Sequence, residues 1–125
     1  MTFDWLDFLS LGENLMSSGR EEPIDESMLR TAIGRMYYAV FGKLRNHYAD
    51  VEEVAFSYGP NDHGKLGSEI RRKKGRYHAK DFHRMRDTRN NADYENDFDE
   101  DIVSATEKQL TRAKEILDIH DLLPT

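Results

Sequence analysis

The chain of 125 residues has no cysteine. Disulfide scaffolds, iron–sulfur clusters, thiolate zinc sites and cysteine nucleophiles are therefore excluded. It has no run of about 18 apolar residues, so no membrane span is expected. The opening Met1-Thr2-Phe3-Asp4-Trp5 lacks a basic start before an apolar stretch, so no secretory leader is read there. The expected location is the cytoplasm. No stretch alternates as a strand does, and no internal repeat or low-complexity tract is present. Glycine-rich phosphate loops are missing, since Gly64 and Gly67 are not followed by Lys-Ser or Lys-Thr. There is no His-Glu-x-x-His, and no serine has an elbow or partner pattern. His78 and His83 are five apart and diverge by about 140° on a helix, a poor pair of metal ligands. No cofactor or metal is expected.

What is present is charge and helical periodicity. Apolar residues make up 38 % and charged ones 34 %, yet aromatics reach 10 %, too many for a disordered chain. The length fits one domain spanning residues 1–125. The net charge of −6 conceals an asymmetry. Residues 71–89 carry nine of the 18 Lys and Arg against two acids, a net of +7, which leaves −13 for the remainder. Asp93, Glu95, Asp97, Asp99, Glu100 and Asp101 follow directly. Such a dipolar chain can hold a polyanion on one patch. The plainer alternative is that the basic and acidic blocks neutralise each other.

The apolar pattern predicts an all-α bundle of four main helices and one short one. The first runs from about Asp4 to Met16, with Trp5, Phe8, Leu9, Leu15 and Met16 on one face and Ser17-Ser18-Gly19 as its stop. The second, capped by Asp25 or Ser27, carries Leu29, Ala32, Ile33, Met36, Tyr37, Val40, Leu44 and Tyr48 over about six turns. A second stripe on it holds Gly34, Arg35, Tyr38, Gly42 and Arg45. Each glycine there costs roughly 1 kcal/mol against alanine, so a close helix–helix approach is expected to compensate. That approach, with the small charged chain, also gives a reason to expect packing against a second copy. Residues 49–60 read as a loop, ending in the turn Gly59-Pro60-Asn61-Asp62. Asn61 or Asp62 then caps a short helix that runs through Lys74 and stops at Gly75. A fourth helix is expected from about Ala79 to Asn91, anchored by Phe82 and Met85. Asn96-Asp97-Phe98-Asp99 would cap the last, whose period is set by Ile102, Val103, Ala105, Leu110, Ala113, Ile116 and Leu117.

The segment with chemical content is Arg89-Asn90-Asn91-Ala92-Asp93-Tyr94. An arginine can grip phosphate with two hydrogen bonds. A tyrosine can stack on a base. An aspartate four residues on could orient the arginine. The plainer alternative is an i, i+4 ion pair worth roughly 0.3 kcal/mol, with Tyr94 as a half-buried anchor. Acid–base chemistry beside that arginine would need a titratable group near it. His63, at a helix start, is a candidate, against a helix-entry histidine with a solvent-facing ring. Asp93 would need a raised pKa, which an adjacent arginine opposes. Arg35 and Tyr38 are further candidates, against a packed Tyr38 and an Arg35 paired with an acid. Asn90 and Arg86 on the same helix complete the binding candidates.

Thr31-Ala32-Ile33-Gly34-Arg35-Met36-Tyr37-Tyr38-Ala39-Val40-Phe41 resembles the Ser-Arg-Ala-Tyr-Tyr-Ala-x-Phe signature of HEPN domains. His63-Gly64-Lys65 is similar to a landmark of one subgroup, and Arg89-Asn90-Asn91-Ala92-Asp93-Tyr94 to that subgroup's Arg-x-x-Ala-Asp-Tyr. The order and spacing agree over nearly the whole chain. The resemblance implies a helical bundle that forms a homodimer, with a groove that handles RNA or a nucleotide. It implies a prokaryotic toxin–antitoxin or defence setting, a nucleotidyltransferase-like antitoxin as partner, and metal-independent ribonuclease activity in many members. The family's catalytic pattern is an arginine followed four to six residues later by histidine. Arg89 matches the arginine, but no histidine follows it in that window. The resemblance therefore leaves open an active ribonuclease, a non-catalytic RNA- or nucleotide-binding module, and a scaffold.

Overall fold

A computed structural model describes residues 2–124. Five helices follow one another: α1 (Leu6–Gly19), α2 (Glu26–Asp50), α3 (Asp62–Lys74), α4 (Arg76–Tyr94) and α5 (Ile102–Ile119). The chain is 72 % helical, and no strand forms among the described residues, as the missing alternation predicts. No helix is long and apolar enough to cross a membrane.

Helix α2 is the axis, and the other four all pack against it. Its Leu29, Ala32, Ile33, Met36, Tyr37, Ala39, Val40 and Leu44 have no exposed surface. A helix apolar on nearly every side must be covered on nearly every side. Met36, Tyr37, Val40, Ala113 and Leu117 share one core, with Leu110 partly buried against it. Phe82 and Met85 anchor α4 in the same core, as their spacing predicts.

One of the two glycines on α2 is used inside the chain. A Cβ on Gly42 would lie 2.0 Å from Trp5 Cδ2, so the indole lies where the missing side chain would be. Trp5 in turn makes edge contacts with Phe3 and Phe8, at centroid distances of 5.1 and 5.5 Å. Gly34 is buried, but a Cβ there would meet Asp93 Oδ1 at an ordinary 3.7 Å, so the close approach is at Gly42 alone. The expected close approach exists, but it is internal. It therefore supplies no packing reason for a second copy.

Several boundaries differ from expectation. Asp25 caps α2, accepting from Met28 N–H at 3.1 Å, while the Ser27 hydroxyl donates to Asp25. The cap of α5 is Asp101, which accepts from Ser104 N–H at 2.8 Å, rather than the Asn96–Asp99 stretch. That stretch instead leads away from α4, whose end is held by Arg30. The Arg30 guanidinium donates to the carbonyls of Ala92, Glu95 and Asn96 at 3.1, 2.6 and 3.1 Å, a cation where the helix dipole favours one. Helix α1 ends at Gly19, within the expected Ser17–Gly19 stop, and α4 is longer than expected at both ends. Gly75, at φ 94°, turns the chain between α3 and α4 in a single residue. That conformation favours glycine. Asn61 makes no side-chain cap. Asp62, 1 % exposed, reaches back to Ser57 N–H and Oγ and Tyr58 N–H, and pairs with Arg45 at 3.2 Å. It ties the loop before α3 to α2. Burial alone would raise its pKa, but the bonds from Ser57, Arg45 and Tyr58 outweigh this and hold it below the usual carboxylate value.

Gly42→Ala gives a test with an informative sign. Helix propensity alone favours alanine by about 1 kcal/mol. The clash with Trp5 should instead lower stability by about 1–3 kcal/mol in chemical denaturation. In a Trp5→Ala background the same substitution should be neutral or stabilising, because the two sites are coupled.

Candidate nucleic-acid interface

Arg89 lies near the end of α4, with its side chain 15 % exposed. Its Nε is 2.9 Å from Asp93 Oδ2, although the N–H is not aligned as a hydrogen bond. Its Nη1 donates to Asn90 Oδ1 at 2.9 Å. The guanidinium carbon is 5.0 Å from the centroid of Tyr38 and 5.5 Å from that of Tyr94. Nη2 has no partner among the described residues and is not enclosed. Carboxylate, amide and two rings thus fix the fork while one donor edge stays open. The i, i+4 pair of the plainer alternative is real, but it does not saturate the arginine. Tyr94 is not a half-buried anchor. It is 71 % exposed, held high because the chain leaves the helix directly after it.

The second stripe of α2 meets this cluster. Tyr38 is half-buried, with centroid distances of 5.3 Å to Tyr37 and 6.3 Å to His63. The Arg35 guanidinium lies 4.5 Å from the Phe8 centroid and 5.9 Å from that of Tyr38. No acid among the described residues pairs with it, contrary to the paired alternative, and its buried Nε has no partner. The stacking on Phe8 replaces the ion pair.

His63 is brought to Arg89 through Tyr38 rather than by direct contact. Its ring is not solvent-facing: it is half-buried, stacked on Phe41 at 4.2 Å and 12°. Its Nδ1 is 2.6 Å from the Tyr37 hydroxyl. Tyr37 is 0 % exposed, and its hydroxyl has no other partner among the described residues. The buried O–H must therefore donate to Nδ1, which places the ring proton on Nε2. His63 lines a groove between α3 and α4, so neutral His63 presents an N–H donor there and not a lone pair. Burial, then the charges of Arg86, Arg89 and Arg45, depress its pKa below the usual histidine value. Burial likewise raises the Tyr37 phenol far above its usual value.

The fate of the basic segment is mixed. Arg72 pairs with Glu69, Lys73 with Glu52, Arg84 with Asp81 and Arg89 with Asp93. Asp93 is the only member of the acidic block to pair with it among the described residues. Asp101 caps α5, Glu100 pairs with Lys108, and Asp99 accepts from Asn91. The two blocks therefore do not cancel. Arg71, Arg76, Lys80 and Arg86 have no carboxylate partner among the described residues, and all four line the α3–α4 groove, of about 540 Å³.

Three supporting residues escaped the sequence reading. Tyr37 was read only as core, yet it sets the proton of His63. Arg30 holds the end of α4 that presents Asp93 and Tyr94. Arg45 stacks between Phe41 and Tyr58, at 4.8 and 4.7 Å, and joins Asp62 to α2. Only the position of Arg45 on the second stripe hinted at a role. Comparison with family models, curated proteins and solved structures returned no match.

The histidine geometry predicts a pH response. A second histidine, His120, is fixed as firmly: its Nδ1–H donates to the Ile116 carbonyl at 2.7 Å, and its Nε2 accepts from the buried Tyr48 hydroxyl at 2.8 Å. Burial also depresses its pKa. Both folded values lie below the unfolded one, about 6.5, so the unfolded chain takes up protons first. Their stabilisation is complete above pH of about 6.5 and is lost as pH falls through the folded values. Nitrogen-15 NMR at pH 7 should show neutral His63 protonated on Nε2 and neutral His120 protonated on Nδ1. Melting temperature should fall on acidification below pH of about 6.5, with a shallower fall in His120→Gln.

Proposed function

We propose that this chain is a HEPN-like RNA-binding protein that grips the phosphodiester backbone with Arg89 and stacks a base on Tyr94. The observation that carries the reading is the Arg89 guanidinium, fixed by Asp93, Asn90 and Tyr38, with an open donor edge beside an exposed tyrosine. Preorganisation lowers the entropy lost on binding. A fixed arginine fork with an aromatic neighbour suits a flexible single strand better than a duplex groove. Arg35 and Arg86 add positive field with no acid to cancel it, and His63 Nε2–H adds a neutral donor. The landmark motifs resembling HEPN domains support the same assignment.

Binding without cleavage is the form of this reading that the side chains favour. A general base needs a free lone pair, and the proton position on His63 denies it one. No histidine follows Arg89 at the family's spacing. In the setting implied by the resemblance, the chain is a degenerate relative of the toxin–antitoxin and defence ribonucleases. It acts in the cytoplasm as a homodimer, with a nucleotidyltransferase-like antitoxin as partner protein.

Arg89→Ala should weaken affinity for a single-stranded RNA by about tenfold to a hundredfold, the loss of a charge-assisted contact. Lys73→Ala should have a much smaller effect, since that lysine is exposed and paired with Glu52. Arg89→Lys should not restore binding, because an ammonium lacks the planar fork. Affinity should fall steeply with salt. If Arg89→Ala lowers melting temperature but leaves RNA affinity unchanged, the motif is a helix-end clamp and the proposal fails.

A further inference from the structure

A hollow of about 370 Å³ lies at the C-terminal end of α2, and it shares no lining residue with the Arg89 cluster. One wall is apolar, built from Phe3, Trp5, Val51 and Leu122. Trp5 is fixed there because its indole fills the space beside Gly42, and the Phe3 ring packs edge-on against it at 5.1 Å. Leu122 is held by its N–H, which donates to the Leu117 carbonyl at 3.0 Å. Yet Phe3 is 47 % exposed and Val51 65 % exposed. Two large apolar side chains thus face water around one hollow, on walls that are already fixed.

The opposing wall is the end of α2, and its charge is unbalanced. Asp50 is the final residue of the helix, at the negative end of its dipole, where a carboxylate is unfavourable. No Lys, Arg or His among the described residues pairs with it. The one lysine in the lining, Lys43, lies 3.9 Å from Asp4 instead. Asp4 is further engaged by the start of α1, where it accepts the Leu6 N–H at 3.0 Å. Asp50 is therefore the free carboxylate of the hollow. A charge set against the helix dipole with no counterion favours a cation beside it.

We propose that this hollow binds a small organic ammonium ion with an aromatic or branched apolar body. The ammonium lies against Asp50 and the carbonyl end of α2, and the body covers Phe3, Trp5, Val51 and Leu122. Charge and apolar wall together define the class. An uncharged apolar molecule would strip water from Asp50 without replacing it. An anion would meet Asp50 and the negative end of the dipole, with Lys43 already held by Asp4. A metal ion would find a single free carboxylate, and no group of three metal-ligating side chains exists among the described residues. An organic ammonium gains the carboxylate, the dipole end and the rings of Phe3 and Trp5. At about 370 Å³ the hollow is at the small end of ligand sites, which suits a monoamine better than a nucleotide. The assignment does not rest on the RNA-binding reading above.

Trp5 is the single tryptophan, so its fluorescence reports this hollow directly. The probe is phenethylammonium, titrated into the full chain at matched ionic strength beside phenethyl alcohol and hydrocinnamate, which keep the body and change the charge. The ammonium should shift Trp5 emission saturably and bind about tenfold or more tightly than either. Methylammonium, a charge without a body, should give no saturable shift. Asp50→Asn should remove the preference for ammonium over alcohol, and Asp50→Glu should keep it. Asp50 is exposed, so neither variant should unfold the chain. Val51→Ser should weaken the ammonium by about threefold or more, through lost apolar contact. Equal affinity for ammonium and alcohol would overturn the proposal, as would a preference that survives Asp50→Asn or the absence of any saturable shift. Saturating phenethylammonium should leave affinity for single-stranded RNA within about threefold, because the two sites share no residue. Competition between amine and RNA would overturn the separate site.

Discussion

Everything in this molecule depends on covering α2. A helix of 25 residues with nine side chains at or below 1 % exposure cannot be satisfied by one neighbour. Helices α1, α3, α4 and α5 each take a side, and the stripe through Arg35, Tyr38 and Arg45 is where their coverage parts. That stripe meets α1 through Phe8, α4 through Arg89, and the start of α3 through His63 and Asp62. The candidate interface lies where three helices fail to close over the fourth. Its polar groups are tolerated because each stacks on a ring or keeps an edge in solvent.

The same stripe shows how rings substitute for countercharges. Arg35 lies against Phe8 and Tyr38, Arg45 between Phe41 and Tyr58, and Arg89 between Tyr38 and Tyr94. A carboxylate would neutralise an arginine and occupy its fork. A ring fixes the plane and leaves the edge donors free. Arg45 has both, two rings within 5 Å and Asp62 as a charged partner, and it serves to hold the loop. Arg35 has rings alone. Arg89 is intermediate, with Asp93 on one edge and Nη2 open. The gradation from Arg45 to Arg35 separates structural from available cations on one helix-to-helix seam.

The helices were legible because periodicity is a local signal. The α2 stripe, the Asp25 cap and the Gly75 stop all follow from residues within a few positions of each other. The boundaries that shifted depend on distant partners. Arg30 reaches carbonyls 62 to 66 residues away, so the end of α4 could not be read from α4. Asp62 looked like a helix cap and is instead the centre of a loop bound to α2. At the site, Arg89 and Asp93 were legible as an i, i+4 pair, and the +7 segment as an excess of charge. Which cations remain unpaired was not, because Lys73 finds its carboxylate on Glu52 across a loop. Nor could the sequence place the proton on His63, which depends on a hydroxyl 26 residues away.

That proton also bears on what chemistry the interface can hold. Protonating His63 would put an N–H on Nδ1 facing the Tyr37 hydroxyl, leaving a buried O–H without an acceptor. Removing the Nε2 proton would require an imidazolate, which is inaccessible near neutral pH. Between these limits His63 is a fixed, neutral donor. Shuttling a proton needs a group that exchanges it in both directions near the working pH, and a fixed donor does not. A neutral donor beside Arg86 and Arg89 stabilises an anion without adding to their mutual repulsion. The phenol of Tyr37, buried and far from its own titration range, thus holds His63 as a neutral donor, which supports the proposed binding of phosphate without its cleavage.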